Sequence, residues 1–257
     1  MTVINRYAME MKNMKKAFYI LMAAAAALMS SCMQIDNFDA PAAQVEGRLI
    51  DKTTGQNLLV DQADTHIRIW ERSYSTNPTP QDLAVKMDGT YKNSKLFSGT
   101  YDMLPLDGAY WPCDTTYNVA IGKAGKVQDF EVTPYLHVVD FTAELDGTTL
   151  TLNCKLQAPV TEGLPQVVEI RPFLSLNHFC GAANHIDYYY TDDYRISIRK
   201  AWSRIGDAEG NGNETYSVSM EVKPGYHYWV RMGVQVNNQY KNWNYSEIKE
   251  IDVPKAN

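Results

Sequence analysis

The chain has 257 residues, of which 45% are hydrophobic and 21% are charged, and its formal net charge is −6 at pH 7. Residues 1–31 hold four basic residues and one acidic residue, so residues 32–257 keep 20 basic and 29 acidic residues, a net charge of −9. This balance argues against a nucleic-acid-binding protein, because such binding depends on neutralising phosphates. The 226 residues from Cys32 onward suit two small domains or one large domain.

The N-terminal segment has the pattern of a cleavable secretory signal. Two lysines precede an apolar run over residues 17–29, which is too short to be a permanent membrane-spanning helix. The run ends in two serines and Cys32. We therefore expect residues 1–31 to be a signal peptide, in which residues 1–13 are an over-long start before Met14.

The end of this segment, Leu28-Met29-Ser30-Ser31-Cys32, resembles a bacterial lipobox. The resemblance implies that Cys32 is lipid-modified, that residues 32–43 form a tether, and that the protein is a lipoprotein anchored in the outer membrane. Asp36 and Asp39 are similar to a surface-export signal of Bacteroidetes-type lipoproteins, which implies exposure at the cell surface. The alternative is a plain signal peptide followed by an incidental cysteine.

Short segments that alternate apolar and polar residues begin at residue 44, and none has a helical period. Asp88-Gly89 predicts a hairpin turn, because glycine tolerates a positive φ. Ser98-Gly99 predicts a turn that pairs the strands over 91–97 and 100–104. These patterns predict a first β-sandwich over residues 44–132.

Four segments of this domain resemble the carboxypeptidase regulatory-like domain, a transthyretin-like sandwich of accessory character. They are Gly47-Arg48-Leu49-Ile50-Asp51, Thr54-Gly55, Met87-Asp88-Gly89-Thr90-Tyr91 and Leu96-Phe97-Ser98-Gly99-Thr100-Tyr101. The resemblance implies a seven-stranded fold without catalytic residues.

Thr133-Pro134 marks the expected joint between domains, since the residue before a proline is held extended. The second domain, over residues 133–257, is again all β. Asp146-Gly147 predicts a hairpin turn, and we expect strands over 188–190 and 194–198 among others.

The segment Val222-Lys223-Pro224-Gly225-Tyr226-His227-Tyr228-Trp229-Val230-Arg231 resembles the late strands of fibronectin type III domains. The resemblance implies an immunoglobulin-like sandwich in which the Tyr228 hydroxyl closes a tyrosine corner. The fold class is therefore all-β, with two consecutive β-sandwich domains.

The whole order resembles a family of Bacteroidetes surface lipoproteins of unknown function that is associated with SusC/SusD-type glycan-uptake loci. The matching stretches are Asp36-Asn37-Phe38-Asp39-Ala40-Pro41 and Asn77-Pro78-Thr79-Pro80-Gln81-Asp82. The resemblance implies a non-enzymatic accessory role in polysaccharide utilization, with a glycan ligand and a SusC/SusD-type outer-membrane complex as partners.

Aromatic and amide side chains concentrate in residues 237–245, which we expect to be a loop between the last two strands. Sugars stack on aromatic rings, and amides bond their hydroxyls. The candidate carbohydrate-binding residues are therefore Tyr240, Asn242, Trp243 and Tyr245 in this loop, together with Tyr110 and Trp111 in the first domain. The alternative is a loop that folds its aromatics onto its own domain.

Chemical motifs are sparse. Catalytic signatures such as Gly-x-Ser-x-Gly, His-Glu-x-x-His and the phosphate loop do not occur, so we expect no enzyme and no cofactor. His178, Cys180, His185 and Asp187 could be metal ligands, but their spacing matches no closed zinc site, and a polar loop with a buried cysteine is the favoured interpretation.

The second domain contains a cysteine pair, Cys154 and Cys180, that could form a disulfide in an exported protein. With Cys113 the body has an odd number of cysteines, so at least one thiol is left free or pairs between chains. The alternative function is a fimbrial or structural cell-surface subunit that assembles with protein partners by strand exchange, since such subunits are also lipoproteins built from two sandwiches.

Overall fold

The computed structural model describes residues 40–62, 64–206 and 212–255. The signal segment and Cys32 lie outside the described residues. From Pro41 onward the chain forms one compact unit made of four β-sheets, which confirms the prediction of two consecutive β-sandwiches. Within the described ranges, no helix has the length and apolarity needed to cross a bilayer.

Eight strands form the first sandwich. They are β1 (Ala43–Asp51), β2 (His66–Glu71), β3 (Gln81–Ala84), β4 (Thr90–Leu96), β5 (Gly99–Leu106), β6 (Thr116–Ile121), β7 (Lys126–Val127) and β8 (Phe130–Val132). One sheet has the order β4-β1-β7 with β8 also on β1, and the other has the order β3-β2-β5-β6. Strand β1 shows why the sheets pack: Ala43, Val45 and Leu49 lie on one face and are at most 1% exposed.

The two predicted turns of this sandwich have different outcomes. The Asp88-Gly89 turn is confirmed, since Gly89 has a φ of 78° and its N–H donates to the Lys86 carbonyl at 2.9 Å. The predicted pairing around Ser98-Gly99 is wrong, because β4 pairs with β1 whereas β5 pairs with β2 and β6. Ser98-Gly99 therefore carries the chain from one sheet to the other, as packing of two sheets around one core requires.

Eight further strands form the second sandwich. They are β9 (His137–Asp146), β10 (Thr149–Gln157), β11 (Val167–Ser175), β12 (Ile196–Lys200), β13 (Tyr216–Glu221), β14 (His227–Val236), β15 (Trp243–Tyr245) and β16 (Lys249–Asp252). The sheet β13-β10-β9 faces the sheet β12-β11-β14, and both β15 and β16 pair with β14. The hairpin at Asp146-Gly147 is confirmed by the pairing of Asp146 with Thr149.

The tyrosine corner is present in the second sandwich. The backbone N–H of Lys223 donates to the Tyr228 hydroxyl at 3.2 Å, and Tyr228 is 2% exposed. The predicted strand over 188–190 is wrong, because Asp187–Tyr189 forms a 3₁₀ turn and only Tyr189 is buried there. A second 3₁₀ turn, Asp192–Tyr194, leads into β12.

The outer face of the β12-β11-β14 sheet is also covered. Along β14 the even-numbered residues from Tyr228 to Val236 enter the core of the second sandwich, so Trp229, Arg231 and Gly233 lie on the opposite face. On that face a separate apolar cluster consists of Phe173, Cys180, Trp243 and Tyr245. A sandwich that stood alone would expose these side chains to water, so their burial depends on the covering segments.

Gly233 allows the rings of Phe173 and Tyr245 to pack closely on strand β14. A Cβ at this position would lie 2.7 Å from Phe173 Cε2 and 3.1 Å from the Tyr245 ring. A larger residue would therefore push both rings away from β14.

The cysteines are not paired. Cys113, Cys154 and Cys180 are all free thiols, so the predicted Cys154–Cys180 disulfide is wrong. Cys154 belongs to the core between the sheets, whereas Cys180 lies in the cluster on the outer face of the β12-β11-β14 sheet. The sheet itself separates the two sulfurs.

Candidate functional site

The two sandwiches meet at a surface that we call the domain seam, where residues 58–62 and 64–65 of the first sandwich lie on the outer face of the second. At its centre Asp61 Oδ1 lies 3.5 Å from Arg231 Nη2, and both side chains are 1% exposed. Asp61 also accepts hydrogen bonds from the backbone N–H groups of Gln62 at 2.8 Å and Ala183 at 2.6 Å. A buried carboxylate needs such partners, since burial without them is costly.

The Arg231 guanidinium is held from three sides. Its Nη1 donates to the Val60 carbonyl at 3.0 Å, and its Cζ lies 3.5 Å from the centre of the Tyr245 ring. Gly181 packs so closely that an added Cβ would clash with both Arg231 Nη2 and Asp61. Arg231 Nε and Nη2 have no hydrogen-bond acceptor among the described residues. The cation is thus a fixed part of the seam.

A second carboxyl group, Asp64, completes this charged centre. Burial, reinforced by the negative charge of Asp61, raises the pKa of Asp64 to about 7, although Arg231 and a hydrogen bond with Tyr245 oppose the shift. Burial also raises the pKa of Tyr245 well above its ordinary value, so its hydroxyl stays protonated. The charge of the seam therefore changes with pH near neutrality.

Trp243 and Tyr245 are placed inside the seam, because they belong to strand β15 and not to a loop. Their side chains are 6% and 7% exposed, and both rings meet Phe173 edge to face at 5.2 and 5.5 Å between centroids. A ring covered in this way has no free face for a sugar. Asn242 is also engaged, since its Nδ2 donates to the carbonyls of Asp64 and Asp107.

The candidates of the first domain are engaged with the protein as well. The Tyr110 hydroxyl lies 2.8 Å from Thr65 Oγ1, and the residue is 4% exposed. Trp111 is half-buried, and its ring packs on Tyr135 with 5.2 Å between centroids. Tyr110 faces the cavity described next, whereas Trp111 does not line it.

Tyr240 is the exposed member of the predicted set, with 43% of its surface open to solvent. It borders a cavity of about 390 Å³ between the sandwiches, which we call the Tyr240 cleft. Its wall includes Asp107, Tyr110, Asn238, Gln239 and Tyr240. Residues of the segments 107–110 and 238–240, more than 125 positions apart in the sequence, thus line one cavity. From the sequence alone, Tyr110 and Tyr240 are members of two separate candidate sites.

The polar groups of the Tyr240 cleft include donors and acceptors. Asp107 lies near the Tyr240 hydroxyl, and burial together with the negative charge of Asp107 raises the pKa of Tyr240. Asn238 Nδ2 is buried without an acceptor among the described residues, while Asn238 Oδ1 accepts from the Lys241 N–H at 2.7 Å. An amide, a carboxylate and an open tyrosine face are the groups that recognise a sugar.

A larger cavity of about 760 Å³ also lies on the seam, and we call it the Phe179 groove. Its apolar wall consists of Leu59, Val85, Met87, Phe179 and Ile248. Sequence reasoning considered residues 178–187 only as metal ligands and missed this groove. The available signal was an aromatic pair, His178-Phe179, in an otherwise polar loop.

Two of the four residues considered as metal ligands contact backbone carbonyls. Cys180 Sγ lies 3.3 Å from the carbonyls of Phe173 and Trp229, and His185 Nδ1 lies 3.1 Å from the Gly181 carbonyl. Asp187 is fully exposed and 3.6 Å from His185 Nε2. Across the described ranges, no group of three or more His, Cys, Asp or Glu residues is arranged to hold a metal ion.

Three solved structures show the same fold as this chain. A protein from Bacteroides uniformis described as a “putative carbohydrate binding protein” has a TM-score of 0.71 and 22% identity, and a DUF3823 family protein from the same species has 0.69 and 21%. A DUF3823 family protein from Parabacteroides merdae has a TM-score of 0.62 and 19% identity. Each alignment covers 83% of this chain and 100% of the other.

Family models divide the chain as the sheets do. The N-terminal domain of DUF3823, described as a protein of unknown function, matches residues 43–133, and the domain of unknown function DUF3823_C matches residues 136–250. A search of curated proteins gives no match. With both domain models matched in order over most of its length, the chain belongs to the DUF3823 family.

Proposed function

We propose that this protein is a non-enzymatic, lipid-anchored accessory protein of the outer membrane that captures carbohydrate for a glycan-uptake complex of the SusC/SusD type. The observation that carries the proposal is the Tyr240 cleft, where an exposed tyrosine lies beside a carboxylate and two amides. The description of one structural relative as a “putative carbohydrate binding protein” supports the same ligand class.

Binding would use the two kinds of contact that sugars offer. The open face of Tyr240 stacks on the apolar face of a sugar ring, while Asp107, Asn238 and Gln239 bond its hydroxyls. Such a small cleft buries one or two sugar units, so the affinity of a single site is modest and a partner protein supplies the rest.

The ligand is tested with a matched pair of variants, Tyr240→Ala and Tyr226→Ala. Tyr226 is 48% exposed and precedes β14, whereas Tyr240 follows the other end of that strand. We expect wild type and Tyr226→Ala to bind the same polysaccharides in affinity gels and calorimetry, and Tyr240→Ala to bind at least about fivefold more weakly. No binding by the wild type, or equal binding by both variants, would reject the cleft.

The anchor is tested separately with Cys32→Ala. We expect wild type in the outer-membrane fraction and Cys32→Ala in the soluble fraction, because the acyl chains supply the membrane affinity. A membrane-bound Cys32→Ala protein would contradict lipid anchoring without affecting the ligand test.

A further inference from the structure

We propose that the Phe179 groove is a second sugar site, and that it selects sugar units carrying a methyl or acetyl group, such as 6-deoxyhexoses and N-acetylhexosamines. The inference rests on the proposed carbohydrate function, which it extends to a separate cavity and to a narrower ligand class. It is carried by the size of the groove, its apolar wall and its aromatic rim.

The groove has the dimensions of a ligand site and is built by both sandwiches. Its volume of about 760 Å³ lies in the range of pockets that bind small molecules. Leu59 and residues 84–88 come from the first sandwich, while residues 178–179 and 246–248 come from the second. None of these residues borders the Tyr240 cleft, so the two cavities can be altered independently.

The aromatic rim is held in place before any ligand arrives. His178 and Phe179 stack with 3.9 Å between ring centroids, and Phe179 is 38% exposed. The Phe179 N–H donates to Asn177 Oδ1 at 2.9 Å, and Asn184 Nδ2 donates to the Phe179 carbonyl and, at 2.9 Å, to Ser175 Oγ. A fixed, exposed ring lowers the entropic cost of stacking on a ligand.

Several polar side chains also line the Phe179 groove. They are Gln62, Lys86, Asp88, Ser246 and Glu247, together with His178 and Arg231. Asp88 is partly occupied by Thr90, whose N–H and Oγ1 lie 3.0 and 2.7 Å from Asp88 Oδ1. Arg231 is already paired with Asp61, and Glu247 Oε1 lies 3.4 Å from Lys249 Nζ. Lys86 and Asp88 then add one charge of each sign, so the lining favours a neutral ligand.

These features together define the ligand class. A fully hydroxylated sugar buried against Leu59, Val85, Met87 and Ile248 would leave hydroxyls without partners, which costs free energy. A methyl or acetyl group instead gains from contact with that wall. The remaining hydroxyls face the polar groups of the rim, and the ring face meets Phe179.

The experiment uses the chain from residue 33 onward with methyl-labelled isoleucine, leucine and methionine. The probes are the free sugars fucose, N-acetylglucosamine, galactose and glucose, each followed by NMR titration. Methyl signals of Met87 and Ile248 report on the groove, and those of Leu106 report on the Tyr240 cleft. We expect fucose and N-acetylglucosamine to shift Met87 and Ile248 at concentrations at least about fivefold below those needed for galactose or glucose, which carry neither a methyl nor an acetyl group.

Phe179→Ala should weaken the shifts of Met87 and Ile248 about fivefold, Phe179→Tyr should retain them, and Tyr240→Ala should leave them unchanged. Equal titration by all four sugars would overturn the ligand class. Shifts at Leu106 alone would overturn the groove while leaving the proposed function intact. The absence of any shift, together with failure of the polysaccharide tests, would overturn both.

Discussion

Asp61 of the first sandwich and Arg231 of the second form an ion pair in which Oδ1 and Nη2 are 3.5 Å apart and each side chain is only 1% exposed. A pair buried to this degree contributes less through its own attraction than through the cost of leaving either charge alone. The pair therefore specifies how the two sandwiches meet, and with them the walls of the Phe179 groove, which includes Arg231.

The first prediction is that Asp61→Ala destabilises the protein by roughly 3–5 kcal/mol, because it leaves the Arg231 cation buried without its partner. The free energy of unfolding is measured in urea. The control is Asp82→Ala, which breaks the exposed Arg68–Asp82 pair of 2.7 Å and should cost less than about 1 kcal/mol. Equal effects of the two substitutions would contradict the assigned role of the buried pair, and adding Arg231→Met to Asp61→Ala should recover part of the loss.

The second prediction concerns pH and Asp64. The pKa of about 7 in the folded state is above the ordinary 3.8, so between these values the folded protein holds a proton that the unfolded chain has lost. Stability from this group is complete below the unfolded pKa and declines as pH rises through the folded pKa.

Asp64→Asn should remove that decline. We expect wild type and Asp64→Asn to have similar unfolding midpoints below about pH 4, where Asp64 is protonated in both the folded and the unfolded chain. Wild type should lose stability between about pH 4 and the folded pKa of about 7, so that Asp64→Asn is the more stable protein at pH 8. The measurement is urea unfolding at several pH values. A parallel pH dependence in the two proteins would show that Asp64 is not the titrating group.

The sequence predicts local features well where the cause is local. The Asp88-Gly89 turn, the Asp146-Gly147 turn and the Tyr228 corner depend on residues within a few positions of each other, and all are present. Tyr188 and its neighbours suggested a strand because tyrosine favours strands, yet their backbone forms a 3₁₀ turn.

The site depends on contacts between distant residues, which single-sequence patterns do not encode. Trp243 and Tyr245 belong to the expected aromatic segment, but pairing of β15 with β14 turns both rings toward Phe173. Tyr240 remains exposed because it lies in the preceding turn. The seam brings residues 58–62 and 64–65 of the first sandwich onto Arg231 of the second. Both cavities lie where the two sandwiches meet, so neither could be predicted from the sequence of one sandwich.

The third prediction tests the tyrosine corner. Tyr228→Phe removes the acceptor for the Lys223 N–H, a partly buried bond of 3.2 Å, and should lower the free energy of unfolding by about 1 kcal/mol or more. The control is Tyr226→Phe, whose ring is 48% exposed and should change stability little. Thermal and urea unfolding distinguish the variants, and identical midpoints for both would contradict the corner.

The fourth prediction tests the aromatic cluster of Phe173, Trp243 and Tyr245, which lies on the outer face of the β12-β11-β14 sheet. Gly233→Ala places a methyl group 2.7 Å from Phe173 Cε2 and 3.1 Å from the Tyr245 ring, and these rings are packed against other aromatics. We expect a loss of about 1–3 kcal/mol, because an overpacked site must displace side chains. The matched control is Gly122→Ala, where an added Cβ would have no atom within 4 Å.

The two glycine variants also separate local from long-range effects. Gly122→Ala should be neutral or slightly stabilising, since alanine restricts the unfolded chain. Gly233→Ala should in addition weaken ligand-induced shifts of Ile248, because Ile248 packs on the same aromatic cluster. Adding Phe173→Leu to Gly233→Ala makes room for the methyl group, so the combined loss of stability should be smaller than the sum of the single losses. Strict additivity of the two losses would mean that the Phe173 ring does not close over Gly233 in solution.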